Sequence, residues 1–291
     1  MNAHTEAANS QAAYIWYQPA ARAIPLVLDS PHSSSHIPED MGAALPQAAL
    51  RDGEDVLVDE LWKAAPQYGA HFLVATFSRI YIDPNRHLAD LDDSMLDQPW
   101  PHELCTSHKA GIGKALIWRN LDDGRAIYER LLSVEEVEKR INRYARPYQK
   151  KLGTLIQDMY LEYGHAYHIN CHSMNAVSGK MSQGGAGVAR ADVVLGDRDG
   201  STCDREWTAF VAACFKDAGY DVAVNDPFKG VELVRAFSDP TSNRHSLQIE
   251  LNKRLYLQAD GRTPSAHFQQ LQNDLSSILQ LQSQYILSKI L

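Results

Sequence analysis

What this chain lacks narrows its chemistry first. None of its apolar runs approaches the ~18 residues a membrane-spanning helix needs, so no membrane partner is expected. The opening segment, MNAHTEAANSQAAYIWYQ, has neither a basic start nor an apolar centre, and it is not read as a secretory signal. Cys105, Cys171, Cys203 and Cys214 stand far apart with no C-x-x-C pair, so they read as free thiols in a reducing cytoplasm. Basic runs are missing and the net charge is −8, which argues against a nucleic-acid surface but leaves room for a local basic pocket that takes a small anion. With no G-x-G-x-x-G turn and no Walker loop, nucleotide cofactors are not expected either. No repeat or linker interrupts the chain, so residues 1–291 read as one domain, with 1–20 a loosely ordered start.

What is present is a set of short apolar runs that end on ionisable side chains. Pro25-Leu26-Val27-Leu28-Asp29 leads into Ser30-Pro31-His32, and Ala166-Tyr167-His168-Ile169-Asn170 leads into Cys171-His172-Ser173. A third run, Ser246-Leu247-Gln248-Ile249, ends on Glu250. Parallel strands of α/β sheets deliver active-site groups at their carboxyl ends, where ligands bind.

Helical patterns alternate with these runs. Residues 54–65 read as a helix with Val56, Leu57, Leu61 and Trp62 on one side. Ser133-Val134-Glu135-Glu136 is a capping box that opens a helix, and Pro147 interrupts its pattern. A second helix stops at Gly164. Helix 204–218 follows, and Thr263-Pro264 is read as the start of a long C-terminal helix. Residues 70–76, 79–83, 193–195, 223–225, 231–237 and 246–251 are further strand candidates. The order predicts an α/β fold of three layers, a mixed, largely parallel sheet flanked by helices. The excursion 88–120 and the Gly-rich stretch 178–190 read as loops near a binding site.

His32 and His172 follow buried strands and are read as ligands of a metal ion, against the alternative of strand-end histidines bonded to loops. His168, on the same strand face as Asn170 and His172, is read as structural, and His36 as a weaker candidate for a supporting or substrate group. Cys171 reads as a small buried hydrophobe. A catalytic zinc usually has three protein ligands. The third is sought in RDGEDVLVDE, with Asp55 first, Glu54 second, and helix-start acidity as the competing explanation. Glu250 is either paired with a cation such as Arg254 or the general base of the site. Asn85-Arg86 closes SRIYIDPNR, where an arginine fork suits a carboxylate; Lys229, Arg235 and Arg198 are candidates for added positive charge, and Ser173 for substrate contact. The aspartates of LGDRDG read as caps for the 204–218 helix.

Six segments, SPHSSSHIP, SRIYIDPNR, HINCHSM, LGDRDGSTCD, FKGVELVRAFSDP and HSLQIELNKRLYL, occur in order across residues 24–258. Together they resemble the N-formylglutamate amidohydrolase family, which is distantly similar to the zinc carboxypeptidases. The resemblance implies a phosphorylase/hydrolase-like fold and a hydrolase that releases formate and glutamate in histidine breakdown. It also implies His32, Asp55 and His172 on Zn²⁺ or another divalent transition metal, Glu250 as catalytic base, and Asn85-Arg86 on the substrate carboxylate. The carboxypeptidase His-x-x-Glu pair is absent, because Ser35 stands three residues after His32. Peptide trimming by the same groups, or binding of an acidic metabolite without chemistry, are the competing functions.

Overall fold

The computed structural model describes residues 12–179 and 185–290. Among these residues seven strands form one sheet: β1 (Tyr14–Tyr17), β2 (Leu26–Ser30), β3 (His71–Ala75), β4 (Ala166–Met174), β5 (Val193–Gly196), β6 (Val222–Val224) and β7 (Arg244–Asn252). Their spatial order is β1-β3-β2-β4-β7-β5-β6. β3, β2, β4 and β7 run parallel, β1 lies antiparallel on one edge, and β5 is antiparallel to β7 and parallel to β6. The sheet is therefore mixed and largely parallel, as the pattern of runs predicts.

Helices cover both faces. They are α1 (Val58–Leu61), α2 (His108–Gly111), α3 (Val134–Arg140), α4 (Arg146–Tyr163), α5 (Arg205–Asp217), α6 (Glu232–Ala236) and α7 (Phe268–Ile290). Leu61, Trp207, Val211, Leu271 and Leu275 pack with Ile169, Ile249 and Leu251 on one face. Val137, Leu152, Ile156 and Leu233 pack with Val27 and Leu73 on the other. Every residue of β2 and β4 is buried, which is why these strands read as continuous apolar runs instead of alternating ones. No helix among the described residues is long and apolar enough to cross a membrane.

The capping box holds: Ser133 Oγ accepts from the Glu136 amide at 3.1 Å. Pro147 does not break the helical run. A π-helical turn over Ile141–Ala145 joins α3 to α4 and leaves the proline in the first turn of α4, where no backbone donor is needed. Gly164 ends α4 in the left-handed conformation.

Other expectations are corrected. Residues 79–83 form a turn, with the Tyr81 amide bonded to the Ser78 carbonyl; Ile80, Tyr81 and Ile82 are apolar because the turn is buried. Residues 231–237 carry the short helix α6, whose adjacent Leu233 and Val234 are both buried and mimic a strand run. The helix expected over 54–65 shrinks to α1 and a 3-10 turn, because Leu57 has a left-handed backbone (φ 58°). The C-terminal helix starts at Phe268; Pro264 instead pairs with Leu257 in an isolated bridge. The segment expected to be loose up to residue 20 contains β1, a short edge strand with alternating burial.

Candidate active site

β4 and β7 are in register with His172 opposite Glu250, Asn170 opposite Gln248 and His168 opposite Ser246. Paired residues on parallel strands share a face, so six polar side chains line one seam. β2 adds Asp29, opposite Asn170. At the carboxyl end of this seam the chain leaves β2 through Ser30-Pro31 and delivers His32. The loop before α1 brings in Asp55, whose amide donates to the His32 carbonyl at 3.0 Å. The break at Leu57 thus leaves Asp55 in a loop clamped to His32, clear of any helical turn.

His32, Asp55 and His172 converge, all buried. The His172 Nδ1 lies 2.9 Å from Asp55 Oδ2 and 3.1 Å from His32 Nδ1, and His32 Nδ1 lies 3.4 Å from Asp55 Oδ2. The far nitrogens decide the tautomers. His32 Nε2 donates to Asp83 Oδ1 at 2.7 Å. His172 Nε2 is 2.6 Å from the Asn170 carbonyl oxygen, so it too carries the proton. Both Nδ1 atoms then present lone pairs to one another and to an acceptor-only carboxylate. Such a group of lone pairs repels itself unless positive charge sits at its centre. Two imidazoles, each braced from behind, and a carboxylate match a catalytic zinc's donor set.

Glu250 stands beside this cluster, buried on the same face as His172. Its Oε1 accepts from Gln248 Nε2 at 3.0 Å. Burial and then the Asp55 charge raise its carboxyl to about 8, against the pull of Arg79, His32 and Arg190. Arg254, the alternative partner, turns away to Asp192 at 2.7 Å.

Of the remaining candidates only Asn85 touches the cluster: it is buried, its Oδ1 accepts from the Leu233 amide at 2.9 Å, and its Nδ2 lies 3.1 Å from His172 Nε2 and 3.3 Å from Asn170 Oδ1. The Arg86 guanidinium is buried too, with Nε on the Lys114 carbonyl and Nη1 on the Asn85 carbonyl. Arg235 is not brought into the cluster; it sits on the exposed side of α6 and forks onto Glu232. Ser173 points to the opposite sheet face from His172, since side chains alternate along a strand, and neighbours Tyr256 there. Glu54 pairs with Arg51, Lys229 with exposed Asp199, and Arg198 with the Gly230 carbonyl. His36 is exposed. α5 is capped by Asp204, not by the LGDRDG aspartates, although Asp197 accepts from Thr208 Oγ1. Of the loop 178–190, residues 180–184 lie outside the described residues.

Sequence reasoning missed Asp83, which braces His32 and is itself held by Arg79 Nη2 at 2.8 Å. It also missed Lys109 on α2, whose Nζ has no hydrogen-bond or ion-pair partner among the described residues. Burial, then Arg86 and Arg79, lower its pKa, and Glu250 is also within its electrostatic reach.

The raised Glu250 carboxyl has a consequence for stability without a bound cation. In the unfolded chain this proton leaves near pH 4.5, and in the folded protein near pH 8. Between these values the folded state binds more protons, so stability falls as pH rises. Wild type is expected to lose roughly 5–10 °C of melting temperature from pH 5 to 8 relative to Glu250→Gln, given several kcal/mol of linkage. Parallel melting curves of the two chelator-treated proteins would contradict this.

An α/β sheet that gathers an imidazole pair, a carboxylate and a buried glutamate at the ends of its parallel strands has the architecture of an amide-hydrolysing enzyme. Within that class the chain belongs to the N-formylglutamate amidohydrolase family, whose model matches residues 24–257. It is 41% identical to the N-formylglutamate amidohydrolase from Ralstonia eutropha JMP134, a crystal structure that superposes with a TM-score of 0.90 over 96% of this chain and 100% of that one. It is 27% identical to the N-formylglutamate deformylase of Pseudomonas aeruginosa over 84% of this chain and 85% of the relative. A structure from Agrobacterium tumefaciens, gene product Atu2144, shares the fold at a TM-score of 0.66 and 17% identity, covering 96% of each chain.

Proposed function

We propose that this protein is a divalent-metal-dependent hydrolase that converts N-formyl-L-glutamate and water to formate and L-glutamate, a reaction of histidine degradation. The observation that carries the reading is the convergence of His32 Nδ1, His172 Nδ1 and Asp55 Oδ2 beside the buried carboxyl of Glu250. The substrate follows from the names of the relatives. These three side chains would hold the cation, zinc in the first instance. When bound, it supplies Lewis acidity for the amide carbonyl and the attacking water.

The rest is done by side chains of the protein. Glu250 takes a proton from the water as its oxygen bonds to the formyl carbon, then passes that proton to the nitrogen as the C–N bond breaks. A base must be ionised to do this, and the cation's charge opposes the effect of burial on Glu250. Asp83 and Asn170 keep the two imidazoles turned inward. The substrate is dianionic, and Lys109, Arg79, Arg86 and Arg190 supply the local positive charge that an acidic chain otherwise lacks.

Lys109 is our choice for the group that grips a substrate carboxylate. A hydrogen bond to a charged group contributes about 1.5–3 kcal/mol, so Lys109→Met is expected to raise KM by roughly 10- to 100-fold with cation content unchanged. An unaltered KM would remove Lys109 from the substrate site.

The function itself is tested by an activity screen of zinc-reconstituted protein over N-formyl, N-acetyl and N-succinyl amino acids and short peptides. Formate release from N-formyl-L-glutamate in excess of every other substrate is expected. Cleavage of peptides with N-formyl amino acids untouched would favour a peptidase, and binding without product would leave only a binder.

A further inference from the structure

Behind His172 lies a second polar network, of which the proposed chemistry uses only Asn170. Asp29, His168, Asn170 and Ser246 are all fully buried. Asp29 Oδ1 accepts from His168 Nε2 at 2.8 Å and from Asn170 Nδ2 at 2.7 Å, and Oδ2 accepts from the Tyr148 hydroxyl at 2.7 Å. His168 Nδ1 meets Ser246 Oγ at 2.9 Å. Ser246, His168 and Asp29 thus have the connectivity of a nucleophilic triad. With no exposure at any of the three, no substrate reaches the serine, and a different role is needed.

The directions of the bonds supply one. An ionised carboxylate can only accept. Asp29 therefore requires the amide nitrogen of Asn170 on its side, which turns the Asn170 carbonyl toward His172. That oxygen, 2.6 Å from His172 Nε2, requires the proton there. His172 Nδ1 is then left as a lone pair aimed at Asp55 and His32. Asn85 fixes the Asn170 amide in the same orientation, because its Oδ1 accepts from the Leu233 amide and its Nδ2 then faces Asn170 Oδ1 at 3.3 Å. That Nδ2 also lies 3.1 Å from His172 Nε2, a contact that alone would favour the other tautomer, and the shorter 2.6 Å bond to Asn170 Oδ1 decides for the proton on Nε2. Tyr148 and His168 hold Asp29 itself.

We propose that Asp29 is a positioning residue that sets, through the Asn170 amide, the tautomer and orientation of His172 and so the cation affinity of the cluster. The inference rests on reading His32, Asp55 and His172 as the cation site. It assigns a function to a fully buried carboxylate, the penultimate residue of β2. Groups that brace a metal-binding histidine typically change metal affinity by about 10- to 100-fold when removed.

The test has two readouts independent of turnover. The first is Zn²⁺ affinity by competition with a chromophoric chelator, for wild type, Asn170→Leu and Asp29→Asn. The second is ¹⁵N–¹H correlation of histidine-labelled, chelator-treated protein at about pH 9, where imidazoles are neutral. Wild type should show His172 protonated on Nε2. Asn170→Leu should mix the tautomers and weaken Zn²⁺ binding roughly 10- to 100-fold. Asp29→Asn should weaken it less, because an asparagine can still accept from Asn170 if its own nitrogen turns to Tyr148. Variants that melt earlier yet bind Zn²⁺ like wild type would reduce the network to core packing and overturn the inference. So would a wild-type His172 protonated on Nδ1, a result that needs no variant to fold. If wild type itself binds no Zn²⁺, the cation reading falls, and the tautomer spectra alone decide for or against the role of Asp29.

Discussion

Glu250→Gln is expected to lower kcat by roughly 10²- to 10⁴-fold, the range set by removal of a positioned general base, while the cation stays bound at wild-type stoichiometry. Glutamine keeps the shape of the side chain and can still accept from Gln248 Nε2, so the register of β7 with β4 survives. The property lost is the capacity to take a proton. Glu250 suits that work because its environment is divided: burial and Asp55 favour the protonated form, while Arg79, His32 and Arg190 favour the charged one. A carboxyl balanced in this way gains and loses a proton near neutral pH, as a group must that accepts from water and donates to an amine. Formate release and elemental analysis on the same sample separate the two effects. Near-normal turnover would exclude Glu250 as the base, and loss of the cation would make it a ligand.

The parts of this site that could be read from sequence are those on strand ends. β2, β4 and β7 are buried on both faces, so their apolar runs stand out, and the ionisable groups toward or just past their carboxyl ends, His32, His172 and Glu250, mark the crevice. Asp55 could be short-listed but not explained, because its position depends on the left-handed Leu57 and on a backbone bond to His32, neither of which has a periodic signature. Asp83 was hidden in SRIYIDPNR for a similar reason: a buried turn has the same apolar composition as a strand. Arg235 shows the reverse error. Read on a strand, it would alternate into the cleft; on α6 it is carried outward and meets Glu232 one turn away. The bracing network was half visible as the row His168, Asn170, His172. Its partner Asp29 was not, since pairing across strands depends on register.

Asp55→Asn is expected to lower Zn²⁺ affinity by more than ~100-fold, above the effect of losing a bracing group, and to abolish hydrolysis at equimolar metal. The substitution is close to isosteric, so the effect is one of charge and proton placement. In wild type, three lone-pair donors face one another within 3.4 Å. A divalent cation relieves that repulsion, and the carboxylate supplies the negative charge of the set. Asparagine removes the charge and can point an N–H at His172 Nδ1, satisfying the cluster with no ion present. The chelator-treated variant should therefore melt no lower than chelator-treated wild type, and higher above pH 7. Loss of the Asp55 charge also removes one of the two causes that raise Glu250, so that carboxyl should ionise more easily and the fall in stability toward alkaline pH should shrink. Chelator competition and melting curves across pH measure both consequences on one variant. Wild-type Zn²⁺ affinity in Asp55→Asn would exclude Asp55 from the ligand set and return the third ligand to the neighbouring acids, Glu54 first.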